Sequence, residues 1–313
     1  MTSVSRARNR AVRTRRVTLM SIAVAATLVT LKLFVWWFSQ SVALLASAAD
    51  SGLDLIASMA TFFAVRYAAA PPDREHRFGH GKAEAFASLM QAGLVFASAA
   101  LIAEEAVRHL IRPEPISREI WAIRVMVVSI GLTGALIFAQ SRLLRTTASV
   151  AVSADRTHYA ADLASNLVAL VAIAVAWIGF PWFDPLGGLG VAAILLWGAV
   201  SVFRESSNQL LDRELPDADR RRIIDLMTRD KAITRVHQLR TRASGPTVHI
   251  QLHADLDPEI TLEAAHKVVV AAERRVLEAF PDADILIHPD PRGRAEPHGG
   301  AFAEASAVTE KSE

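Results

Sequence analysis

Cysteine is absent from all 313 residues. That excludes disulfides and thiolate metal sites, and it argues against a Cu(I) specialist, whose preferred ligands are soft sulfur donors. Net charge is nearly missing as well. The 34 Lys and Arg against 32 Asp and Glu leave +2, so nothing recommends nucleic acid as a partner. No His-Glu-x-x-His run occurs, and no Ser or Thr sits beside an evident base in an apolar stretch. A membrane metallohydrolase, and enzymatic activity in general, is therefore left without a motif. What the chain does have is apolar sequence: 52% of it is hydrophobic although its C-terminal third is plainly polar.

Hydropathy places six spans near residues 17–38, 42–70, 84–111, 119–140, 150–179 and 185–205. Six arginines in the first sixteen residues precede the run VTLMSIAVAATLVTLKLFVWWF. That run exceeds a signal-peptide core, and Ala46-Ser47-Ala48 falls too late for cleavage, so the first span is read as retained. Basic residues gather in 1–16, at Arg74, Arg77 and Lys82, and at Arg142, Arg145 and Arg156. The connections near Ser39-Gln40 and 179–184 carry none, and only Arg108, Arg112 and Arg118 run against the trend. This balance puts both termini in the cytosol.

The polar third reads as a small α+β domain. A helix is expected at 217–229, with Ile223, Ile224 and Met227 on one side. Strands at 233–242 and 247–255 flank the turn Ala243-Ser244-Gly245-Pro246, and Val248, Ile250 and Leu252 alternate with His249, Gln251 and His253. An amphipathic helix at 261–279 and a strand at 283–288 complete the order αββαβ, a two-layer arrangement. The fold class is thus a six-helix transmembrane protein with a cytosolic α+β domain. The divisions fall at 1–16 (basic cytosolic segment), 17–211 (transmembrane transport domain), 212–291 (cytosolic metal-binding and dimerisation domain) and 292–313, a polar tail expected to be disordered.

Two four-residue motifs stand inside the apolar spans: Asp50-x-x-x-Asp54 and His158-x-x-x-Asp162. Positions i and i+4 of a helix share a face, so each motif points two ligand-type side chains the same way. Ionisable groups at membrane depth are costly and normally face a bundle interior or a substrate path. Three carboxylates and one imidazole suit a tetrahedral divalent-cation site. The alternative is structural polarity, with Lys32 and Asn166 as interhelical partners, but two i,i+4 pairs fit that poorly. In the loop PPDREHRFGHGKAEA, Asp73, His76 and His80 lie three and four apart around Gly79 and Gly81. This cluster is ordinary alone and gains weight from its place at the cytosolic mouth of the same bundle. The C-terminal domain holds five of the ten histidines, His237, His249, His253, His266 and His288, and His288-Pro289-Asp290 puts two ligand types on one side of an extended segment. His109 and His298 look incidental.

SVALLASAADSGLDLIAS, DREHRFGHGKAEA, DRTHYAADLASN and VHQLRTRASGPTVHIQLH together resemble the cation diffusion facilitator family, in particular its bacterial zinc and ferrous-iron efflux branch. The resemblance runs from the first span to about Pro291. It implies a transport site at Asp50, Asp54, His158 and Asp162, a loop site at Asp73, His76 and His80, and a binuclear cytosolic site at His237, His253, His266, His288 and Asp290. It further implies a homodimer in the bilayer of the inner membrane, a ferredoxin-like, metallochaperone-like C-terminal domain, and a charge interlock between Lys82 and Asp212. His249 has no role in that pattern; by strand alternation it shares a face with His253 and is an extra or substitute ligand.

Imidazole suits Zn²⁺ better than Mg²⁺ or Mn²⁺, which favour all-oxygen sites. The expected function is therefore efflux of Zn²⁺ first, with Cd²⁺ accepted and Fe²⁺ also a candidate, exchanged for protons by alternating access and regulated by Zn²⁺ bound in the cytosolic domain. A membrane-anchored metal sensor and a passive metal channel are the alternatives. Six spans are excessive for an anchor, and tight four-ligand coordination slows conduction.

Overall fold

The computed structural model describes residues 3–39, 42–112, 120–145, 149–177 and 183–294. Six long helices come first: α1 (Ser3–Ser39), α2 (Val42–Ala68), α3 (Lys82–Ile111), α4 (Ile120–Leu144), α5 (Val150–Trp177) and α6 (Phe183–Leu210). Then follow α7 (Asp217–Thr228), β1 (Arg235–Ser244), β2 (Thr247–Leu256), α8 (Leu262–Ala279) and β3 (Ala283–Pro291). The chain divides into two compact units, one of residues 5–210 and one built from residue 211 onward.

Among the described residues α1, α2, α3, α4 and α6 hold stretches long and apolar enough to cross a membrane. α5 completes the set. Its first half carries Asp155, Arg156, His158 and Asp162, while residues 163–177 are apolar apart from Ser165 and Asn166. The basic N-terminal segment is continuous with the first span, because α1 already begins at Ser3.

The helical unit is apolar outside and polar inside. Large side chains such as Trp197, Ile111 and Phe138 are 78%, 73% and 71% exposed, as a lipid-facing surface requires. Ser58, Thr61, Ser88, Ser129, Gln91 and Gln140 are buried. Several hydroxyls satisfy themselves on the carbonyl one turn back: Ser129 Oγ donates to Val125 O at 2.9 Å and Thr61 Oγ1 to Ala57 O at 3.1 Å. α6 packs along α3 and α5 through small residues. A Cβ placed on Gly187 would lie 2.6 Å from Val168 Cγ1, and one on Gly198 3.0 Å from Thr157 Cγ2.

The second unit is a three-stranded sheet in the order β1-β2-β3, antiparallel between β1 and β2 and parallel between β2 and β3. Its core joins Ile250, Leu252, Ala254 and Leu256 of β2 to Ile223 and Met227 of α7 and to Ala265, Ala272 and Val276 of α8. Thr261 caps α8 by accepting from the Ala264 N–H at 3.2 Å. Alternation sends His249, Gln251, His253 and Asp255 to the sheet face opposite α8. β3 runs to Pro291, beyond the expected end at 288, and residues 295–313 of the tail expected to be disordered lie outside the described residues, as does His298.

A bulge in β1 shifts its pairing register between His237 and Arg240, with Gln238 at φ 49°. The extra residue flips the side-chain phase, so that His237 lies opposite His253 while Thr241, four residues on, is buried.

The close approach of α5 and α6 is testable. Gly187→Ala must displace a β-branched neighbour that has little rotamer freedom in a helix, a cost of about 1–3 kcal/mol. Gly190, with nothing within 4 Å of its Cβ position, is the control. Thermal unfolding in detergent should show a lowered Tm for Gly187→Ala and an unchanged or raised one for Gly190→Ala. Equal Tm values would contradict the packing described.

Candidate metal centres

The first centre lies between α2 and α5. Asp54 and His158 are buried, and Asp162 is half-buried. His158 Nε2 is 2.8 Å from Asp54 Oδ1 and 4.0 Å from Asp162 Oδ2, and one ligand atom from each residue falls within 4.8 Å of the others. The helical repeat accounts for the His158–Asp162 pairing, and the packing of α2 on α5 brings Asp54 across. Asp50 stands outside this trio with an exposed side chain, one turn of α2 from Asp54. It remains within electrostatic reach of Asp54, Lys32 and His158.

Neither structural partner considered from the sequence pairs directly with a carboxylate here. Asn166 Nδ2 donates to the backbone carbonyl of Asp162 at 2.8 Å. Lys32 Nζ donates to Ser51 Oγ at 2.6 Å and Ser47 O at 3.2 Å. The polar group that sequence reasoning missed is Asp155, which is 1% exposed. It accepts from Ser21 Oγ of α1 at 2.7 Å, Gln91 Nε2 of α3 at 3.1 Å and Gln140 Nε2 of α4 at 2.7 Å. One turn on, Tyr159 Oη bonds Ser58 Oγ at 2.8 Å and donates to Ser21 O at 3.2 Å. The available signal was an acid three residues before His158 on the same helix.

The second centre is the loop between α2 and α3. Asp73 accepts from the backbone N–H groups of His76 at 2.6 Å and Glu75 at 2.9 Å. Those backbone bonds, that of His76 first, hold its carboxyl below the usual carboxylate range. Gly79, at φ +80°, donates to His76 O and turns the chain back, which a side chain would resist. His76 Nδ1 and His80 Nε2 then lie 3.3 and 3.2 Å from the two oxygens of Asp73. His80 is 7% exposed, and apart from the ion-pair contact of Nε2 with Asp73 neither ring nitrogen makes a well-directed hydrogen bond, so both keep binding capacity.

The third centre is on the open face of the sheet. Register places His237, His253 and His288 in one row across β1, β2 and β3, with Asp255 and Asp290 paired in the next. Asp290, 4% exposed, is the shared acceptor: His253 Nδ1 is 2.8 Å from Oδ2, His237 Nε2 3.3 Å from Oδ2, and His288 Nε2 3.3 Å from Oδ1. His237 also meets Asp255 at 3.2 Å, a further carboxylate not singled out from the sequence. Burial, reinforced by the His288 and His237 imidazoles, pushes His253 below its ordinary value against the pull of Asp290. This donor set of imidazoles around carboxylate oxygen fits a divalent ion.

His266 and His249 are not brought to that row. His266 is exposed on α8, which packs on the opposite sheet face. His249 lies four residues from His253 along β2 and pairs with Asp284 at 3.1 Å. Lys82 donates to Leu210 O at 3.3 Å, and Asp212 accepts from Arg242 at 3.2 Å. His109 pairs with Glu105 one turn back on α3 at 3.1 Å.

Residues 18–211 match the cation efflux transmembrane domain and residues 215–292 the cation efflux protein cytoplasmic domain. The cation-efflux pump FieF of Yersinia enterocolitica is 41% identical over 273 residues, 87% of this chain and 91% of that protein. FieF of Salmonella schwarzengrund is 38% identical over 287 residues, 92% of this chain and 96% of its own. A solved structure of CzrB in its zinc form aligns with 27% of this chain and 98% of its own, at 30% identity and a TM-score of 0.25. Six long helices ahead of a small mixed α/β unit, and matches that span both, make this chain a multi-span membrane transporter, not an enzyme, of the cation diffusion facilitator (cation efflux) family.

Proposed function

We propose that the chain exports divalent metal from the cytosol in exchange for protons, with Zn²⁺ the preferred cargo and Cd²⁺ and Fe²⁺ further substrates. The observation that carries this reading is the 2.8 Å contact between His158 Nε2 and Asp54 Oδ1 inside the helical unit. At that separation a proton lies between the two atoms, because two lone pairs would repel. A metal ion needs that imidazole lone pair and that carboxylate, so it binds only as the proton leaves. Metal and proton compete for one place, and opening that place to each side in turn makes the competition an antiport. Asp162 supplies a second oxygen, and Asp50, one turn away on α2, a third. A nitrogen ligand among carboxylates favours Zn²⁺ over Mg²⁺ or Mn²⁺.

Asp73, His76 and His80 are the loop site of this scheme, with both termini in the cytosol and the inner membrane as its location. The chain works as a homodimer through residues 212–291. There His237, His253, His288 and Asp290 would hold a regulatory ion, whose charge would screen the carboxylates and favour association of two tails.

Zn²⁺ flux into liposomes under an imposed pH gradient tests the mechanism. An opposing proton gradient should raise the flux, and Asp54→Ala should abolish it. Flux indifferent to pH would indicate a passive channel, and no flux in well-folded protein would indicate a sensor.

His237→Ala with Asp290→Ala should blunt the rise of turnover with cytosolic Zn²⁺ and leave flux at low Zn²⁺ near its original rate. An unaltered metal dependence would remove the regulatory part of the proposal.

With His253 held below its ordinary value of about 6.5, the imidazole stays neutral, and free to bind metal, as pH falls through that point. In full-length metal-free chain carrying Asp54→Ala and His76→Ala, the His253 ring should take up its proton at a lower pH than a free histidine does. The same lowered value means the unfolded chain binds the proton more readily, so acidification below about 6.5 should also destabilise the metal-free tail. An NMR pH series from 7.5 to 5 would refute this if the His253 ring titrated at or above about 6.5.

A further inference from the structure

Lys32 is a cation enclosed in an apolar span. It is 8% exposed in the last third of the apolar stretch of α1, and a lysine enclosed there needs a reason. A structural lysine would pair directly with a carboxylate, yet its hydrogen bonds go to neutral acceptors. Ser47 O and Ser51 Oγ both belong to α2, and Ser51 lies between Asp50 and Asp54. The two bonds hold the ammonium beside the acids without spending it on any of them. Asp54, Asp50 and Asp162 all lie within electrostatic reach of it. Asp162 in turn responds to His158, Asp54, Asp50 and Lys32. The ionisable groups around Lys32 are Asp50 and Asp54 from α2 and Asp162 from α5, with His158 against Asp54 and Asp155 one turn from His158.

We propose that Lys32 is a positioning residue of the transport site, a tethered counter-charge that offsets the carboxylates when metal leaves and weakens the hold on metal when it binds. The inference rests on the reading of Asp54, His158 and Asp162 as that site. Three acids and an imidazole alone would bind a divalent ion tightly and release it slowly, whereas transport needs release. A fixed positive charge nearby lowers the affinity for a dication by electrostatic repulsion, and it lowers the affinity for protons in the same direction. Removing it should therefore tighten binding, the opposite of what removing a ligand or a packing contact does.

The test is Zn²⁺ flux in liposomes at pH 8, where protons compete least, on wild type, Lys32→Met, Lys32→Gln and Lys32→Arg, with Asp54→Ala beside them. Lys32→Gln keeps a donor for Ser51 and carries the test if the Met variant fails to fold. The neutral variants should lower KM by about tenfold and lower kcat with it, while Lys32→Arg stays near wild type. A KM that is unchanged or raised in Lys32→Gln, or an Arg variant that behaves like Met, would reduce Lys32 to a structural link between α1 and α2. Flux surviving Asp54→Ala would instead overturn the transport-site reading on which the inference stands, and the two failures are distinct.

A second observation carries a separate inference. A cleft of about 460 Å³ between α1 and α4 is lined by Arg13, Arg16 and Arg142 with Val17, Ala139 and Leu143. Arg13 opens the apolar stretch of α1 and Arg142 closes that of α4, so the three guanidinium groups share one membrane boundary. Among the described residues none of the three has a carboxylate partner. We infer that this cleft seats the phosphate of an anionic phospholipid, the apolar residues facing its acyl chains. Native mass spectrometry of protein from nanodiscs of phosphatidylcholine with phosphatidylglycerol should show retained phosphatidylglycerol. Retention should fall at least severalfold when all three arginines become Gln, and free phosphate should not displace the lipid. Equal retention in the variant, or displacement by inorganic phosphate, would overturn it.

Discussion

A carboxylate placed among lipid-crossing helices has no water to turn to, so its partners must come from the bundle itself. Asp155 shows what this demands. Its two oxygens take hydrogen bonds from α1, α3 and α4, and it is carried by α5, so one side chain ties four helices together. His158 stands one turn further along α5 and inherits the position that this network fixes. The buried polar residues, the glycines that let α6 close on its neighbours and the apolar outer surface all serve the same requirement.

The helical unit accordingly separates two kinds of polar residue. Ser58 and Tyr159 bond each other, Tyr159 also bonds the backbone of α1, and the amide nitrogens of Gln91 and Gln140 bond Asp155, so this group ties the helices together. Asp54, His158 and Asp162 meet mainly each other. Groups of the first kind give a rigid frame, and those of the second keep lone pairs that an ion can claim. Setting exchangeable ligands beside a separate hydrogen-bonded network lets the site change occupancy without the frame losing its own bonds.

How far these features could be read beforehand depends on how local they are. The spacing of His158 and Asp162 is a property of one helix, and their common face was legible. The alternation of β2 was legible for the same reason, down to the burial of Ile250 and Leu252. Asp255 follows the same alternation two residues after His253, and Asp155 is one turn from His158, so the sequence carries a local signal for both. His237 is different. Counting back from buried Thr241 puts it on the core side, and only the extra residue at Gln238 turns it outward, a backbone event with no side-chain pattern to announce it. His266 was placed with the tail ligands through family resemblance. Its helix position, one residue past Ala265 on the core face, puts it outside the row within a single chain.

The sharing of Asp290 among three histidines has a consequence for how the C-terminal domain is made. Each histidine comes from a different strand, and a slip of one residue in any strand would turn its ligand to the other face. The site therefore exists only in chains whose three strands have all found their pairing, including the irregular step in β1. An ion that binds there acts as an inspector of assembly, lending its binding energy to correctly registered sheets and none to misthreaded ones.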